Sequence, residues 1–354
     1  MVSLRNLMSV LLLTAAFLWS GPPALAADTG KESAPPYIEG QAAIVTDQAG
    51  QILYEKNKKL RMYPASTTKI LTALLAVENC GLDDVVTVGP EINLVPVNSG
   101  RCGLQVGESI TMRELIYGLL LRSGNDAAMT IAITVARKSG SDIPMSDQAA
   151  LNEFAWMMNQ RAGEMGARDS NFVNPHGLHD PAHYSTAYDL ARITRQAMRD
   201  SFLSEVVATP AYTPSYKNPA GNEAAPLWVN TNKLLDERSP FFMPEATGVK
   251  TGHTGEAGYC LVSSAERKEL RIYAVVLNSS QNGVWKDSVD LLKYGLTQQP
   301  METREAKPAA PKPRLSSPHL PTRIYYMLAL VGAALLLFVA IGFSRFSHPN
   351  NPAD

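Results

Sequence analysis

In the stretch PASTTKI, residues 64–70, Ser66 and Lys69 stand three apart at the head of an apolar run. On a helix such residues share a face, with Cβ atoms about 5–6 Å apart, so the amine of Lys69 can reach back to the hydroxyl of Ser66. The pair could then be a nucleophile and its proton acceptor. An amine accepts a proton only when neutral, so its ordinary pKa of about 10.4 must fall by several units. A helix N-terminus, a dry cleft and a second nearby cation each push that way. The same terminus offers the backbone N–H of Ser66 to a developing oxyanion. The plainer reading is that Ser66 caps the helix and Lys69 is a solvated charge. At ordinary residue frequencies a Ser-x-x-Lys arises about once in a chain this long, so the pair alone decides nothing.

Two further short clusters could serve the same chemistry. Ser123-Gly124-Asn125 lies in LLLRSGNDAA, where a polar turn interrupts two apolar runs. Lys250-Thr251-Gly252 lies in ATGVKTGHTGEAGYCLV, a glycine-rich entry to a strand. Taken singly, the first is a helix junction with Asn125 as a cap and the second a bulged strand. His176, His179 and His183 fall within one short segment, NPHGLHDPAHY, and invite a metal hypothesis. Two prolines and a glycine break that segment, so nothing places the three rings on one face; a loop is expected, without metal. No G-x-S-x-G elbow supports a Ser-His-Asp triad.

The elements that must position these residues are legible in outline. QAAIVTD and QILYE, either side of Gln48-Ala49-Gly50, read as a strand hairpin. Ser66 opens KILTALLAVENC, a buried helix stopped at Gly81. TMRELIYGLLLRSGNDAAMTIAITVARKSG reads as two helices broken at Ser123-Gly124-Asn125, and LNEFAWMMNQRAGEMG as an amphipathic helix. In STAYDLARITRQAM, Thr186 and Asp189 have the spacing of a capping box. GYCLVSSAERKELRIYAVVLNS reads as two antiparallel strands around a charged turn, followed by a helix in KDSVDLLKYGL. Strands at both ends with helices between predict an α+β fold, not alternating βαβ units.

Together and in this order, the three clusters resemble those of the penicillin-recognising serine enzymes. YPASTTKILTALLA, LLLRSGNDAA, NFVNPHGLHD, HYSTAYDLA and GVKTGHTGEAGYC are most similar to the low-molecular-mass penicillin-binding proteins, the serine-type D-Ala-D-Ala carboxypeptidases. The resemblance runs from Tyr37 to about Leu296. It implies a β-lactamase/DD-peptidase-like fold, an antiparallel sheet flanked by helices plus a helical subdomain. It also implies roles: Ser66 forms the acyl-enzyme, Lys69 accepts its proton, and Ser123 relays a proton to the leaving D-Ala. Asn125 holds the substrate backbone. Lys250 and Thr251 bind the terminal carboxylate, Gly252 lets substrate lie against the strand, and the backbone N–H of His253 is the second oxyanion donor. The expected partners are peptidoglycan stem peptides ending in D-Ala-D-Ala and β-lactam antibiotics, with no metal or cofactor.

The physics agrees with that implication. A carboxypeptidase must grip a free carboxylate beside its nucleophile, which calls for a fixed cation and hydroxyl. An exposed strand edge lets an extended peptide add as a further strand. The nearest rival, a class A-like β-lactamase, usually carries Ser-Asp-Asn at the second motif and an acidic loop residue; here Ser-Gly-Asn stands and no matching acidic loop is found. A membrane-tethered sensor that acylates without turnover would need an output domain beyond the membrane, for which the eleven residues 344–354 are too few.

The ends suggest export and anchoring. Arg5, then LMSVLLLTAAFLWS, then PPALAAD reads as a signal peptide over residues 1–26, cut after Ala26. IYYMLALVGAALLLFVAIGF, residues 324–343, is uncharged and long enough at 1.5 Å per residue to span roughly 30 Å of hydrocarbon. A catalytic domain over 37–298, a Pro-rich linker over 299–322, a membrane helix over 324–343 and a short cytoplasmic tail over 344–354 follow. The family's frequent second, β-rich domain is not expected. Lys307, Lys312, Arg314 and Arg323 lie on the expected outer side and only Arg345 inside, against the positive-inside tendency; the signal peptide is taken to override it. The chain is 354 residues, 45% hydrophobic, with Lys plus Arg 32 against Asp plus Glu 33. That balance gives no support for a nucleic-acid partner. Cys80, Cys102 and Cys260 leave at least one thiol free, are too far apart for the usual zinc spacings, and are expected as small core residues.

Overall fold

A five-stranded antiparallel sheet organises the catalytic body. The computed structural model describes residues 34–139 and 145–298. The expected signal peptide, linker, membrane helix and tail all lie outside the described residues. Among the described residues no helix is long and apolar enough to cross a membrane.

The sheet runs β2 (Ile52–Lys56), β1 (Ala42–Asp47), β11 (Leu270–Ser279), β10 (Gly258–Arg267), β9 (Ala246–Thr254) in spatial order, so β9 is an edge. In register, Ala42 faces Leu277, Val262 faces Lys250 and Cys260 faces Gly252. Both sheet faces are covered. Ala42 and Ile44 join the core of the helical side, while Ala43 and Val45 join a second core with Val284, Trp285, Leu291 and Leu292 of the C-terminal helix Gly283–Thr297. This two-sided burial explains why AAIVTD is buried at every position and shows only weak alternation.

On the opposite face of the sheet lies α1 (Lys69–Asn79), whose residues Lys69 to Ala76 are all buried. A helix apolar around its whole circumference belongs inside a layer, and here it packs against α2 (Met112–Leu121), α3 (Asn125–Ser139), α4 (Asp147–Glu164) and α5 (Ala187–Ala197). Thr111 and Glu114 close a reciprocal capping box on α2. The α+β class therefore holds, with the helical subdomain at one face of the sheet.

Three local expectations are refined. α1 begins at Lys69, because Ala65–Thr68 form a 3₁₀ turn in which Thr67 Oγ1 and Thr68 Oγ1 donate back to the carbonyls of Pro64 and Ala65. Lys250-Thr251-Gly252 lies within β9 and not at its entry. Thr186 caps α5 through Asp189 N, but the Asp189 carboxylate turns away to accept from Asp169 N and Ser170 Oγ, so the box stays half closed. A small second sheet, β3 (Val85–Thr87), β4 (Ser109–Thr111), β6 (Tyr216–Lys217) and β7 (Glu223–Ala224), has no counterpart in the sequence reading.

Candidate active site

Ser66 is held on the 3₁₀ turn by unusual backbone on one side and close packing on the other. Ala65 has φ +48°, a left-handed conformation that costs a residue with a side chain on the order of 1–2 kcal/mol. It turns the chain so that Ser66, half-buried, faces the cleft between α1, α3 and β9. A Cβ built on Gly252 would stand 3.1 Å from both Pro64 O and Ser66 N. Only glycine lets β9 pass this close. From beneath, the loop of NPHGL presses in at Gly177, φ +81°, where a Cβ would overlap Ala65 O at 1.9 Å.

Ser66 caps nothing. Its Oγ lies 2.9 Å from Lys69 Nζ. Lys69 is 0% exposed, and its Nζ also donates to Asn125 Oδ1 at 2.6 Å and to the carbonyl of His176 at 2.7 Å. Burial first, then the charge of Lys250, hold this amine well below its ordinary pKa. A neutral amine has two hydrogens and one lone pair. Both hydrogens have oxygen acceptors in Asn125 and His176, so the lone pair is left for the O–H of Ser66. The His176 carbonyl is 3.5 Å from Ser66 Oγ, too far to compete for that hydrogen.

The opposite wall is Ser123-Gly124-Asn125. Ser123 has φ +59° and is half-buried; its hydroxyl takes no hydrogen bond among the described residues. Asn125, buried, begins α3, with its own N–H donating to Gly100 O at 2.8 Å. Asp126, 0% exposed, locks this junction: it accepts from the backbone N–H groups of Cys102, Gly103, Leu104 and Ala127 at 2.9–3.1 Å and from Cys102 Sγ at 3.3 Å. Burial raises the Cys102 thiol well above its usual value, and Cys80, Cys102 and Cys260 are all free and buried.

β9 forms the third wall. Lys250 is 1% exposed; among the described residues its Nζ bonds only to Thr251 O at 3.1 Å and Thr251 Oγ1 at 3.3 Å, and burial lowers its pKa to about 7. Thr251 Oγ1 is 2.8 Å from Thr231 Oγ1. His253 is exposed, its ring 4.2 Å from that of Tyr259. Lys69 thus bonds both Ser66 and Asn125, and Gly252 passes close beside the backbone of Ser66. Lys250 lies near enough for its charge to lower the Lys69 pKa, but among the described residues neither Lys250 nor Ser123 bonds to the Ser66–Lys69 pair.

The three histidines take separate paths. His183 Nδ1 accepts from Val173 N at 3.1 Å, which puts its proton on Nε2, 2.8 Å from Thr68 Oγ1. His176 Nδ1 accepts from Leu178 N, and the His179 ring meets Tyr63 edge-on at 4.6 Å. Burial above all lowers His176 to about 3 and His183 to about 4, so both stay neutral and brace the turn. The sequence reading missed the His176 carbonyl, the Asp126 lock, Thr231 and the direct bond from Lys69 to Asn125. A main-chain oxygen leaves no signature in a sequence; the tight Pro-His-Gly turn was the one available signal.

Residues 29–281 match the family model described as D-alanyl-D-alanine carboxypeptidase. D-alanyl-D-alanine carboxypeptidase DacF of Bacillus subtilis is 33% identical over 284 residues, 78% of this chain and 67% of that protein. The D-alanyl-D-alanine carboxypeptidase of a Streptomyces species is 36% identical over 252 residues, 70% of this chain and 83% of that one. Among solved structures, the Streptomyces DD-transpeptidase matches with a TM-score of 0.69 at 33% identity, covering 75% of this chain and all of that one. The D-alanyl-D-alanine carboxypeptidase of Mycobacterium tuberculosis matches at 0.65 and 30%, covering 77% and 96%.

Proposed function

The chain belongs to the D-alanyl-D-alanine carboxypeptidase family, and from that premise we propose how its cleft removes the terminal D-Ala of a peptidoglycan stem peptide. The enzyme is a serine carboxypeptidase of D-Ala-D-Ala peptides. Ser66 Oγ attacks the penultimate D-Ala carbonyl as its proton passes to Lys69. The oxyanion forms between the backbone N–H groups of Ser66 and His253; the first turn of a helix leaves the Ser66 donor without an acceptor inside that helix. Ser123 then relays a proton to the departing D-Ala nitrogen, and the C–N bond breaks. Water hydrolyses the acyl-enzyme, returning the hydrogen to Ser66. Asn125 holds the substrate backbone, Lys250 and Thr251 take the carboxylate, and Gly252 keeps β9 flat enough for the peptide to lie against its free edge. β-Lactams enter by the same route and stop at the acyl stage.

One observation carries this reading: the buried Lys69 Nζ lies 2.9 Å from Ser66 Oγ and 2.6 and 2.7 Å from oxygens of Asn125 and His176, an arrangement that leaves a neutral amine its lone pair for the Ser66 hydroxyl. The test is to incubate the protein with a penicillin and, separately, with a diacetylated Lys-D-Ala-D-Ala peptide. A mass increase on Ser66 and release of D-Ala support it. Rapid penicillin turnover without D-Ala release would instead indicate a β-lactamase.

We propose further that residues 1–26 direct export and that residues 324–343 anchor the enzyme in the cell membrane. The catalytic domain, 37–298, would face outward on the Pro-rich tether 299–322, with 344–354 inside. The apolar, uncharged run of twenty residues supports this. Full-length protein should fractionate with membranes and be cleavable from outside intact cells, and a chain ending at Gln298 should be released; recovery of the full chain in the soluble fraction would refute the anchor.

A further inference from the structure

A line of hydrogen bonds runs from the loop under the nucleophile into the backbone that carries it, and the chemistry of its ends fixes the direction of every link. At one end the N–H of Val173 can only donate, and its acceptor is His183 Nδ1 at 3.1 Å. Burial keeps the ring neutral, so its hydrogen sits on Nε2, 2.8 Å from Thr68 Oγ1. At the other end the carbonyl of Ala65 can only accept, and Thr68 Oγ1 lies 2.8 Å from it. The Thr68 hydroxyl, receiving from His183, commits its single hydrogen to Ala65. Bonds aligned in one direction polarise one another, so the links reinforce each other.

The line ends where the backbone is least comfortable. Ala65 directly precedes Ser66 and holds φ +48°, a conformation that any side chain disfavours. The loop closes directly on this point: a Cβ on Gly177 would stand 1.9 Å from Ala65 O and 2.8 Å from Thr68 Oγ1. The ring of His183, 2% exposed, is met edge-on at 5.6 Å by Phe172, 0% exposed. Two residues farther on, Ser185 exchanges backbone hydrogen bonds of 2.8 and 2.9 Å with Met62, just upstream of the turn. One segment, Val173 to Ser185, therefore holds the turn at its start and at its end.

The same loop aims the base by another route, since the His176 carbonyl takes a hydrogen of Lys69 Nζ at 2.7 Å. Nucleophile and base are thus positioned from one loop through two separate contacts, and the 2.9 Å between Ser66 Oγ and Lys69 Nζ depends on both. Bracing the loop needs only the bond from Val173 to Nδ1. The Nε2 side is spent on the turn that bears Ser66.

We propose, on the Ser66 reading above, that His183 is a positioning residue for acylation: through Thr68 it clamps the Ala65 carbonyl and so sets the aim of the Ser66 hydroxyl at Lys69. The chemical step should respond to its loss, and binding should not. The two ring nitrogens can be tested apart, because a glutamine amide reaches the level of Nε2 and an asparagine amide only that of Nδ1. The experiment measures, in full-length protein, the first-order rate of Ser66 acylation at saturating penicillin and the dissociation constant of the complex that precedes it. Near-ultraviolet circular dichroism reads the folded fraction. H183N and T68V should each lower the rate about tenfold, short of the roughly 10² that a 1 Å misplacement can cost, with the dissociation constant within twofold. H183Q, which keeps the donor, and T68S, which keeps the hydroxyl, should restore the rate to within threefold. The double variant H183N/T68V should be no slower than the slower single one, as two members of one line require. Should H183N not fold, T68V and its rescue by T68S decide the matter; loss of fold in both would make the line structural and overturn the proposal. H183N and T68V acylating within threefold of the unmodified enzyme, H183Q as slow as H183N, or losses that multiply in the double variant would also overturn it. Absence of acylation in the unmodified enzyme would overturn the Ser66 reading, and the proposal with it.

Discussion

Lys69→Ala separates the chemistry of the cleft from its architecture. The substitution removes the only side chain among the described residues within hydrogen-bond reach of Ser66 Oγ that can accept its proton. A positioned acid–base group contributes about 10²–10⁴ in rate, and groups that act as a unit lose more than that together. Acylation by penicillin should therefore fall by at least about 10³, or roughly 4 kcal/mol of barrier at 1.36 kcal/mol per decade. Stability should fall too. Asn125 Oδ1 and the His176 carbonyl each lose a donor in a buried site, at about 1–3 kcal/mol apiece unless water replaces it. No relief of a buried cation offsets this, because burial already holds the amine well below its usual pKa. The variant should be folded but less stable. Intact-protein mass after timed penicillin exposure reads the first quantity, and thermal unfolding with near-ultraviolet circular dichroism the second. Acylation within tenfold of the unmodified enzyme, in a protein whose fold is intact, would refute the assignment of Lys69 as the proton acceptor.

Other outcomes follow from the same geometry. Acylation requires neutral Lys69, so its rate should fall as pH drops through that group's depressed pKa; Lys250→Gln removes the charge that, after burial, helps depress it and should move this acid limb to higher pH in a pH–rate profile of penicillin acylation. Gly252→Ala pushes a methyl to 3.1 Å from Pro64 O and Ser66 N, and should cost about 1–3 kcal/mol in unfolding free energy while slowing acylation. Asp126→Asn gives up an anionic acceptor of four backbone N–H groups beside Asn125, and should lower the denaturant midpoint and raise KM for the peptide without touching a reacting atom.

The sequence was most readable where chemistry and periodicity coincide. α1 announces itself by an apolar run, α2 and α3 by a polar break between two such runs, β10 and β11 by a charged turn. Less was legible where structure depends on distance in space. β1 buries residues on both faces, so the alternation that marks a half-exposed strand is muted. Strands β6 and β7 are two residues each, shorter than any period can register. Of the site, Ser66, Lys69, Asn125 and Gly252 come together as the motifs imply. The acceptors that orient Lys69 could not be foreseen, since Asn125 was assigned to substrate and His176 acts through its main chain. The 3₁₀ turn under Ser66 depends on Gly177, more than a hundred residues away.

That main-chain oxygen has an evolutionary corollary. A codon change at position 176 can swap the imidazole but cannot delete the carbonyl that aims the amine. Escape from a covalent drug along this route would require bending the loop itself, and the same bend would misdirect the base during normal turnover. This part of the machinery is shielded from genetic drift by having no side chain to lose.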